Sequence, residues 1–567
     1  MAFNEDGRGV MVRASIIITL AAMGFIYWFA VSDGPIFHRL LYQHDLPGAA
    51  VLLLILGLLV LPVRFPFDPT AIALAIARHH LLIAGVVWLL LSLGTLYLYR
   101  NHPLSMDEYA ASFQATAFAN GSLAGRVPPQ LVDWVVPKEF QGHFLVTNHV
   151  TGQVASAYWP GFALLLTPFV WLGIPWACNP LIVAASMLIA GQVAREIVGE
   201  ESARGWTILL AIASPAFTPN GIAFYSMPAH LLFNLIFVWL LLRPSPGRVF
   251  LAGIVGSFAL VLHNPFPHLL FSLPWLAWLI FRRSGGIRNA MLLSLGYVPL
   301  VVLLGVGWIV SLDALRQVGQ ASVSSGAQAS EWPWIVRTAI GLTQPFYFPS
   351  EISISKRVGG LIKLWLWTAP FIIFMAVEAA NRLPNRMLKL MGASLLLTVV
   401  GYFFVPVSQG HGWGDRYSHS VWGVLPILAA AWICSLPPRD IRSEAFLSLI
   451  AKGALLSLLM ATLLRVWQMG SFMSDHMAQL PPYPEGKPAI VFVGRGYYSM
   501  DLVQNDPWLR KQPWIFPTHG KPADTELAER LLPGGCIFSD GRHGWTYTVE
   551  STNPVPPSNT ASMLRRC

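Results

Sequence analysis

Apolar runs of about 16–20 residues recur along almost the whole chain, from Ala14–Val31 through residues 48–63 and 80–99 to 445–466. A helix needs about 20 such residues to cross a bilayer core roughly 30 Å thick. Inside that core no water is present to satisfy backbone N–H and C=O groups, so repeated apolar runs must fold as helices that bond internally. We count about 14 candidate spans: 14–31, 48–63, 80–99, 158–174, 178–197, 205–218, 225–242, 249–264, 266–281, 289–310, 361–380, 388–407, 417–436 and 445–466. Several are short, so the expected architecture is an all-α polytopic membrane protein of about 12–14 transmembrane helices. Only 11% of the 567 residues are charged, against about 25% in soluble domains. The net charge of +9 is the excess expected of basic cytoplasmic loops and does not imply nucleic acid. No small-residue cleavage site follows the first run, which therefore reads as an uncleaved span.

Basic loops orient such a chain. Arg64 and Arg78, Arg243 and Arg248, the trio Arg282, Arg283 and Arg288, and the segments "NRLPNRMLK" and "PPRDIR" mark five cytoplasmic loops. The far side then receives residues 100–157, the turn "HNPFPH", the loop 312–360, "SQGHGWGDRY" and everything after 466. Between 158 and 242 this rule needs an odd number of crossings, and four runs are present. The tail changes character: "PAIVFVGRGYY", "CIFSD" and "WTYTV" read as strands and "PADTELAERLLPGG" as a helix closed by glycine. The expected organisation is a membrane domain over 1–470, with external loops 100–157 and 312–360, and a small extracytoplasmic α/β domain over 471–567. Cys536 and Cys567 lie in that tail and could pair in an oxidising compartment.

The stretch "SMDEYAASFQATAFANG" (Ser105–Gly121) places Asp107 and Glu108 just beyond a span. Ser105 with Glu108 three residues later has the form of a capping box, and Asn120-Gly121 the form of a helix stop. Met106, Ala110, Phe113 and Ala117 share one face, the pattern of a helix lying in the membrane interface. Asp107 would sit in the first turn, where the helix dipole alone favours a carboxylate. The same carboxylate stands where a lipid-linked substrate would present its head group, and there it could take a proton from an attacking hydroxyl.

"MDEYAASFQATAFANGSL" resembles the Asp-Glu motif in the first external loop of GT-C glycosyltransferases. "YWPGFALLLTPFVWLG", from Tyr158, is similar to the segment opening their next helix, with Trp159 where the family often has a second proline. "GHGWGDRYSHSVWGVLP", from Gly410, resembles their late Gly-Trp-Gly-x-Arg-Tyr segment. Order and expected sidedness agree over about residues 80–440, and the protein O-mannosyltransferase and aminoarabinose transferase branch is the nearest likeness. Two spans precede the acidic loop where many relatives have one.

The resemblance implies an inverting glycosyltransferase of the cell envelope, in a bacterial inner membrane, with its active site and tail on the extracytoplasmic side. It would take a sugar from a polyprenyl-phosphate or polyprenyl-diphosphate donor and pass it to a glycan, lipid or protein acceptor. Asp107 is the candidate base and Glu108 its alternative or partner. If the acceptor is itself a phosphate, Asp107 would position it instead. Arg416, Lys356 and Arg357 are candidates for the donor phosphate, a role that suits guanidinium forks. Arg416 could instead anchor the chain at the membrane interface between Trp413 and Tyr417, and Lys356 and Arg357 could snorkel. Tyr158, His411 and Tyr417 join as substrate-binding candidates. So do His263 and His268, which with His230 could otherwise cap helix ends. No zinc spacing, EF-hand or P-loop pattern is present, so no metal or other cofactor is expected. The rival functions are a transporter of lipid-linked sugars, which should show internal repeats and midplane charges, and an O-antigen ligase-like transferase working through basic and histidine residues.

Overall fold

The computed structural model describes residues 6–31, 34–61, 68–282, 285–320, 347–438, 440–539 and 544–549. Among them six helices are long and apolar enough to span a membrane: Gly9–Phe29, Ile36–Val60, His80–Tyr97, Pro175–Val198, Gly286–Arg316 and Ile441–Met477. A seventh is broken into Glu351–Trp367 and Ile372–Arg382, which meet at 102°. The break has a local cause. Pro370 cannot donate to a continuing helix, and Phe371 takes a left-handed φ of 72°. Six more apolar helices are shorter, including Gly161–Trp171, Met227–Leu241, Pro246–Leu260 and Phe266–Ile280. The chain is an integral membrane protein of mostly helical structure, as its hydropathy requires.

The chain divides into two compact units, counted over described residues. One comprises Met1–Asn101, Trp176–Val306 and Ile335–Met469, the other His102–Pro175, Gly307–Trp334 and Gly470–Cys567. The second unit therefore combines the acidic loop with the C-terminal segment. It also claims Gly161–Trp171, read from the sequence as part of a span. At 11 residues this helix is about 16 Å long, and it packs on the helix Met106–Ala119.

In the first unit, helices approach where side chains are small. Pro246–Leu260 crosses Gly286–Leu300 at Gly253 and Gly296, and a Cβ on Gly253 would lie 2.2 Å from the Leu293 carbonyl oxygen. Packing of this closeness substitutes in a bilayer for the hydrophobic effect. Three long elements are tied by a buried charge cluster. Asp45, in a π-helical turn of Ile36–Val60, binds the Lys363 ammonium, the Arg465 guanidinium at 2.9 Å and the Trp367 indole N–H at 2.7 Å. The Arg465 guanidinium also lies 3.5 Å over the Trp367 ring. All three charged side chains are at most 1% exposed.

The second unit holds two sheets. Strands β1 (Gly125–Arg126), β2 (Leu145–Thr147) and β3 (Gln153–Ser156) form an antiparallel sheet in the order β1-β3-β2. Strands β4 (Ala489–Val493), β5 (Trp514–Pro517), β6 (Gly535–Ser539) and β7 (Gly544–Val549) form another in the order β5-β4-β7-β6, with only β4 and β5 parallel. All five residues of β4 are buried, as a central strand covered on both faces must be. The helix Lys521–Leu531 follows β5. Strands β4, β6 and β7 and this helix fall where the sequence places them, whereas β5 carries no sequence signal beyond "WIFP". Cys536 lies on β6, and Cys567 lies outside the described residues.

Replacing Asp45 by alanine leaves two cations buried without their carboxylate, which should cost about 3–5 kcal/mol. The detergent-solubilised variant should therefore melt several degrees lower. The triple change Asp45→Leu, Lys363→Met and Arg465→Met should recover most of the loss, and an unshifted melting temperature for Asp45→Ala would refute the account.

Candidate active site

The helix Met106–Ala119 carries the acidic pair. Its C-terminus is a Schellman motif: Gly121, at φ 71°, donates to the Phe118 carbonyl at 2.9 Å and Ser122 to that of Ala117 at 3.0 Å. The expected stop at Asn120-Gly121 is therefore present. The N-terminus differs from the expected capping box. Ser105 occupies the N-cap position without a side-chain cap bond. Glu108 accepts the Leu104 N–H at 2.8 Å. The Met106 N–H donates to Asp501 at 3.0 Å, so a residue 395 positions away helps satisfy the open end of the helix.

This helix is also not a one-faced amphipathic element. Met106, Tyr109, Ala110 and Phe113 pack in one core with Val127, Leu131, Val154 and the sheet residues Ile490, Phe492 and Phe516. Ala111, Gln114, Ala115 and Ala117 are buried too. The sequence pattern misleads because the C-terminal residues cover faces that propensity alone assigns to water or lipid. Tyr109 is locked in place. Its hydroxyl donates to the Asn505 carbonyl and accepts the Asn505 N–H at 2.9 Å. Burial pushes this phenol well above its ordinary range, so it stays protonated.

The two acids take different environments. Glu108 is fully buried, while Asp107 is only half-buried. Tyr158, just before the Gly161–Trp171 helix, donates its hydroxyl to Asp107. The Tyr158 carbonyl in turn accepts the Trp308 indole N–H at 2.8 Å. Two motifs separated by about 50 residues thus meet at one half-buried carboxylate. Fixing a carboxylate by a side chain that is itself held is the arrangement a positioned acid–base group requires.

The basic candidates lie in the first unit. Arg416 follows the Gly-rich turn, with its N–H on Gln409 Oε1 at 3.0 Å and its guanidinium on the Gln409 carbonyl at 2.6 Å. It lies 4.1 Å over the Tyr225 ring. Glycine is required at Gly412, where a Cβ would stand 2.9 Å from Arg416 Cγ. The guanidinium remains half-buried and the His411 carbonyl stands 3.5 Å from it. His411 itself is buried. Arg357 is buried as well; it donates to the carbonyls of Val405 and Val407 and stacks 3.9 Å over Tyr417. The void beside it measures about 10 Å³, room for one water and not for a phosphate. Tyr417 donates to the Val407 carbonyl at 3.0 Å. Arg357 and Tyr417 therefore brace the same turn that presents Arg416. Lys356 is half-buried on the adjacent helical position.

The histidines separate by role. His268 is fully buried, bonded to Asn234 at 2.7 Å and to the Tyr297 hydroxyl at 2.5 Å, a structural link among three helices. His263 is half-buried at the turn before Phe266–Ile280. Among the described residues no group of three or more His, Cys, Asp or Glu side chains is placed to hold a metal ion. Sequence reasoning passed over Asp501, Asn505, Tyr225 and Gln409. Their tertiary position reveals them; of the four, Gln409 alone lies in a segment the sequence singles out, directly before Gly410.

No protein-family model matches the sequence, and no curated protein does. A solved structure does. ArnT from Cupriavidus metallidurans, bound to undecaprenyl phosphate, superposes with a TM-score of 0.51 at 14% identity, covering 84% of this chain and 98% of that one. The same protein in the apo state gives 0.47 at 14% identity, over 83% and 98%. The chain has the GT-C fold of ArnT. This agrees with the fold class read from the three motifs.

Replacing Tyr158 by phenylalanine removes the hydroxyl that holds Asp107 and should lower turnover about 10-fold or more in an assay of sugar transfer, without a change in melting temperature. Asp501→Ala should cost about 0.5–2 kcal/mol, as loss of a helix cap does, seen as a lower melting temperature. Full activity in Tyr158→Phe would remove that residue from the site.

Proposed function

We propose that the chain is an inverting glycosyltransferase that moves a sugar from a polyprenyl-phosphate lipid to an acceptor on the extracytoplasmic side of a bacterial inner membrane. The observation that carries the reading is Asp107, an accessible carboxylate held by Tyr158 at the start of a buried helix, in a chain folded like ArnT. The undecaprenyl phosphate bound by that protein supports a donor of the same class.

Asp107 takes the proton of the acceptor hydroxyl as the oxygen attacks the anomeric carbon. The bond from that carbon to the phosphate oxygen breaks on the opposite face, so the configuration inverts. The leaving polyprenyl phosphate gains negative charge, which Arg416 stabilises. Its guanidinium is held by Gln409 and Tyr225 beside the glycine at 412 yet stays half-buried, which supports this role. Arg357 and Tyr417 hold the turn, of which His411 is part. Glu108 supports the helix end rather than the chemistry, since its carboxylate is buried on the Leu104 N–H. The second unit, with its C-terminal sheet, faces the acceptor compartment.

Asp107→Asn should reduce transfer by about 10²–10⁴-fold, the range for loss of a general base, while the purified protein keeps its melting temperature. Arg416→Gln should raise the KM for the lipid donor and lower kcat. A transporter or a ligase acting through basic residues would keep full activity in Asp107→Asn, and that outcome would reject the proposal.

A further inference from the structure

The second unit also contains the helix Gly307–Gln320, which carries none of the residues assigned to the chemistry. Trp308, Leu312 and Leu315 fall at helical spacing and so line one face of it. That face is buried against Val146 of β2 and Ala155 of β3, with Phe118 and Ala157 beside them. Asn148 fastens the helix further along, donating from Nδ2 to the Leu315 carbonyl at 2.6 Å. The helix is therefore fixed to the same small sheet that leads into Tyr158.

Trp308 touches both halves of the carboxylate's setting. Its indole N–H donates to the Tyr158 carbonyl at 2.8 Å. Its ring meets Phe118 edge-on, with centroids 5.9 Å apart, and Phe118 belongs to the helix whose first turn holds Asp107. An indole has one donor and no acceptor, and this one is only 5% exposed. Tyr158 is gripped at three further points: its N–H donates to Ser156 Oγ at 3.2 Å, its ring meets Phe144 edge-on, and its hydroxyl donates to Asp107. The Tyr158 carbonyl precedes Pro160, the N-cap of Gly161–Trp171, so it lies outside that helix's ladder. Rotation of this peptide plane would carry the ring, and the hydroxyl at its tip, away from Asp107. An acid–base group has to be held within about 0.5 Å of its working geometry.

We propose that Trp308 is a positioning residue: its indole N–H fixes the Tyr158 backbone and, through it, the hydroxyl that orients Asp107. The placement of Tyr158 follows from these contacts, and its consequence for sugar transfer rests on the proposed function. With 22 tryptophans in the chain, and this one near the end of the run 289–310, nothing local marks it.

The experiment is fluorine-19 NMR on the full chain in lipid nanodiscs, with its 15 tyrosines replaced by 3-fluorotyrosine and the 158 and 109 resonances assigned by Tyr158→Phe and Tyr109→Phe. Asp107→Ala marks where the 158 resonance moves once the hydroxyl loses its acceptor. Trp308→Phe keeps a ring against Phe118 and removes the N–H. It should move the 158 resonance in the same direction and broaden it about two-fold, as a ring freed to change rotamer does. The 109 resonance should stay in place, since Asn505 holds that hydroxyl. Should Trp308→Phe lower the melting temperature, 3-benzothienylalanine encoded at position 308, with sulfur in place of the N–H, should give the same shift. With an undecaprenyl-phosphate-linked sugar as donor, Trp308→Phe should lower kcat about 5-fold, leave KM for the donor unchanged and cause no further fall in a Tyr158→Phe background. An unmoved 158 resonance, an equal change at 109, or equal fractional falls of kcat in both backgrounds would overturn the inference. Full activity in Asp107→Asn would reject the transferase reading, while a moved 158 resonance would still support the placement of Tyr158 by Trp308.

Discussion

The open end of the Met106–Ala119 helix governs the second unit. A helix leaves its first N–H groups without intrahelical partners, and here Asp501 from the C-terminal segment accepts the first of them. The reciprocal pair between Tyr109 and Asn505 fixes the next turn. A helix of 14 residues is marginal by itself, so its position is a consequence of these partners. The C-terminal segment is therefore a structural part of the carboxylate's setting.

The two acids show how environment divides chemically equal side chains. Glu108 faces inward and accepts a backbone N–H, which compensates its burial. Asp107, one residue earlier, is turned about 100° around the axis and stays accessible under the Tyr158 hydroxyl. A similar division separates the arginines. Arg357 donates through Nη2 to the Val405 and Val407 carbonyls beside a void of about 10 Å³, while Arg416 keeps a half-buried guanidinium. At both places burial sets chemically equal side chains apart.

The buried cluster around Asp45 plays a comparable part in the first unit. Its two cations come from different elements, Lys363 from Glu351–Trp367 and Arg465 from Ile441–Met477. A carboxylate in a membrane unit is costly unless paired, so the three elements can pack in only one register that satisfies it. Nothing in the hydropathy of these spans announces the cluster, since Asp45 lies just before the run 48–63 and Lys363 and Arg465 lie near the ends of theirs, where charges are ordinary.

Much of the architecture is legible in the chain because bilayer depth, backbone hydrogen bonding and apolar length are local requirements. The long helices, the helix stop at Asn120-Gly121, the prominence of Asp107 and three of the four C-terminal strands follow from such local rules. What stays illegible is long-range. Gly161–Trp171 is apolar enough for a membrane, but its packing on the Asp107 helix assigns it to the other unit. The Ser105–Glu108 box has the right residues, yet Asp501 takes up the Met106 N–H and Glu108 turns to Leu104. The sequence by itself determined a polytopic helical protein with a carboxylate poised at the start of a helix, because hydropathy and capping act over a few residues. Only the tertiary structure decided that Tyr158 holds that carboxylate and that Glu108 and Arg357 are buried on backbone partners, because burial and partner choice depend on residues tens to hundreds of positions away.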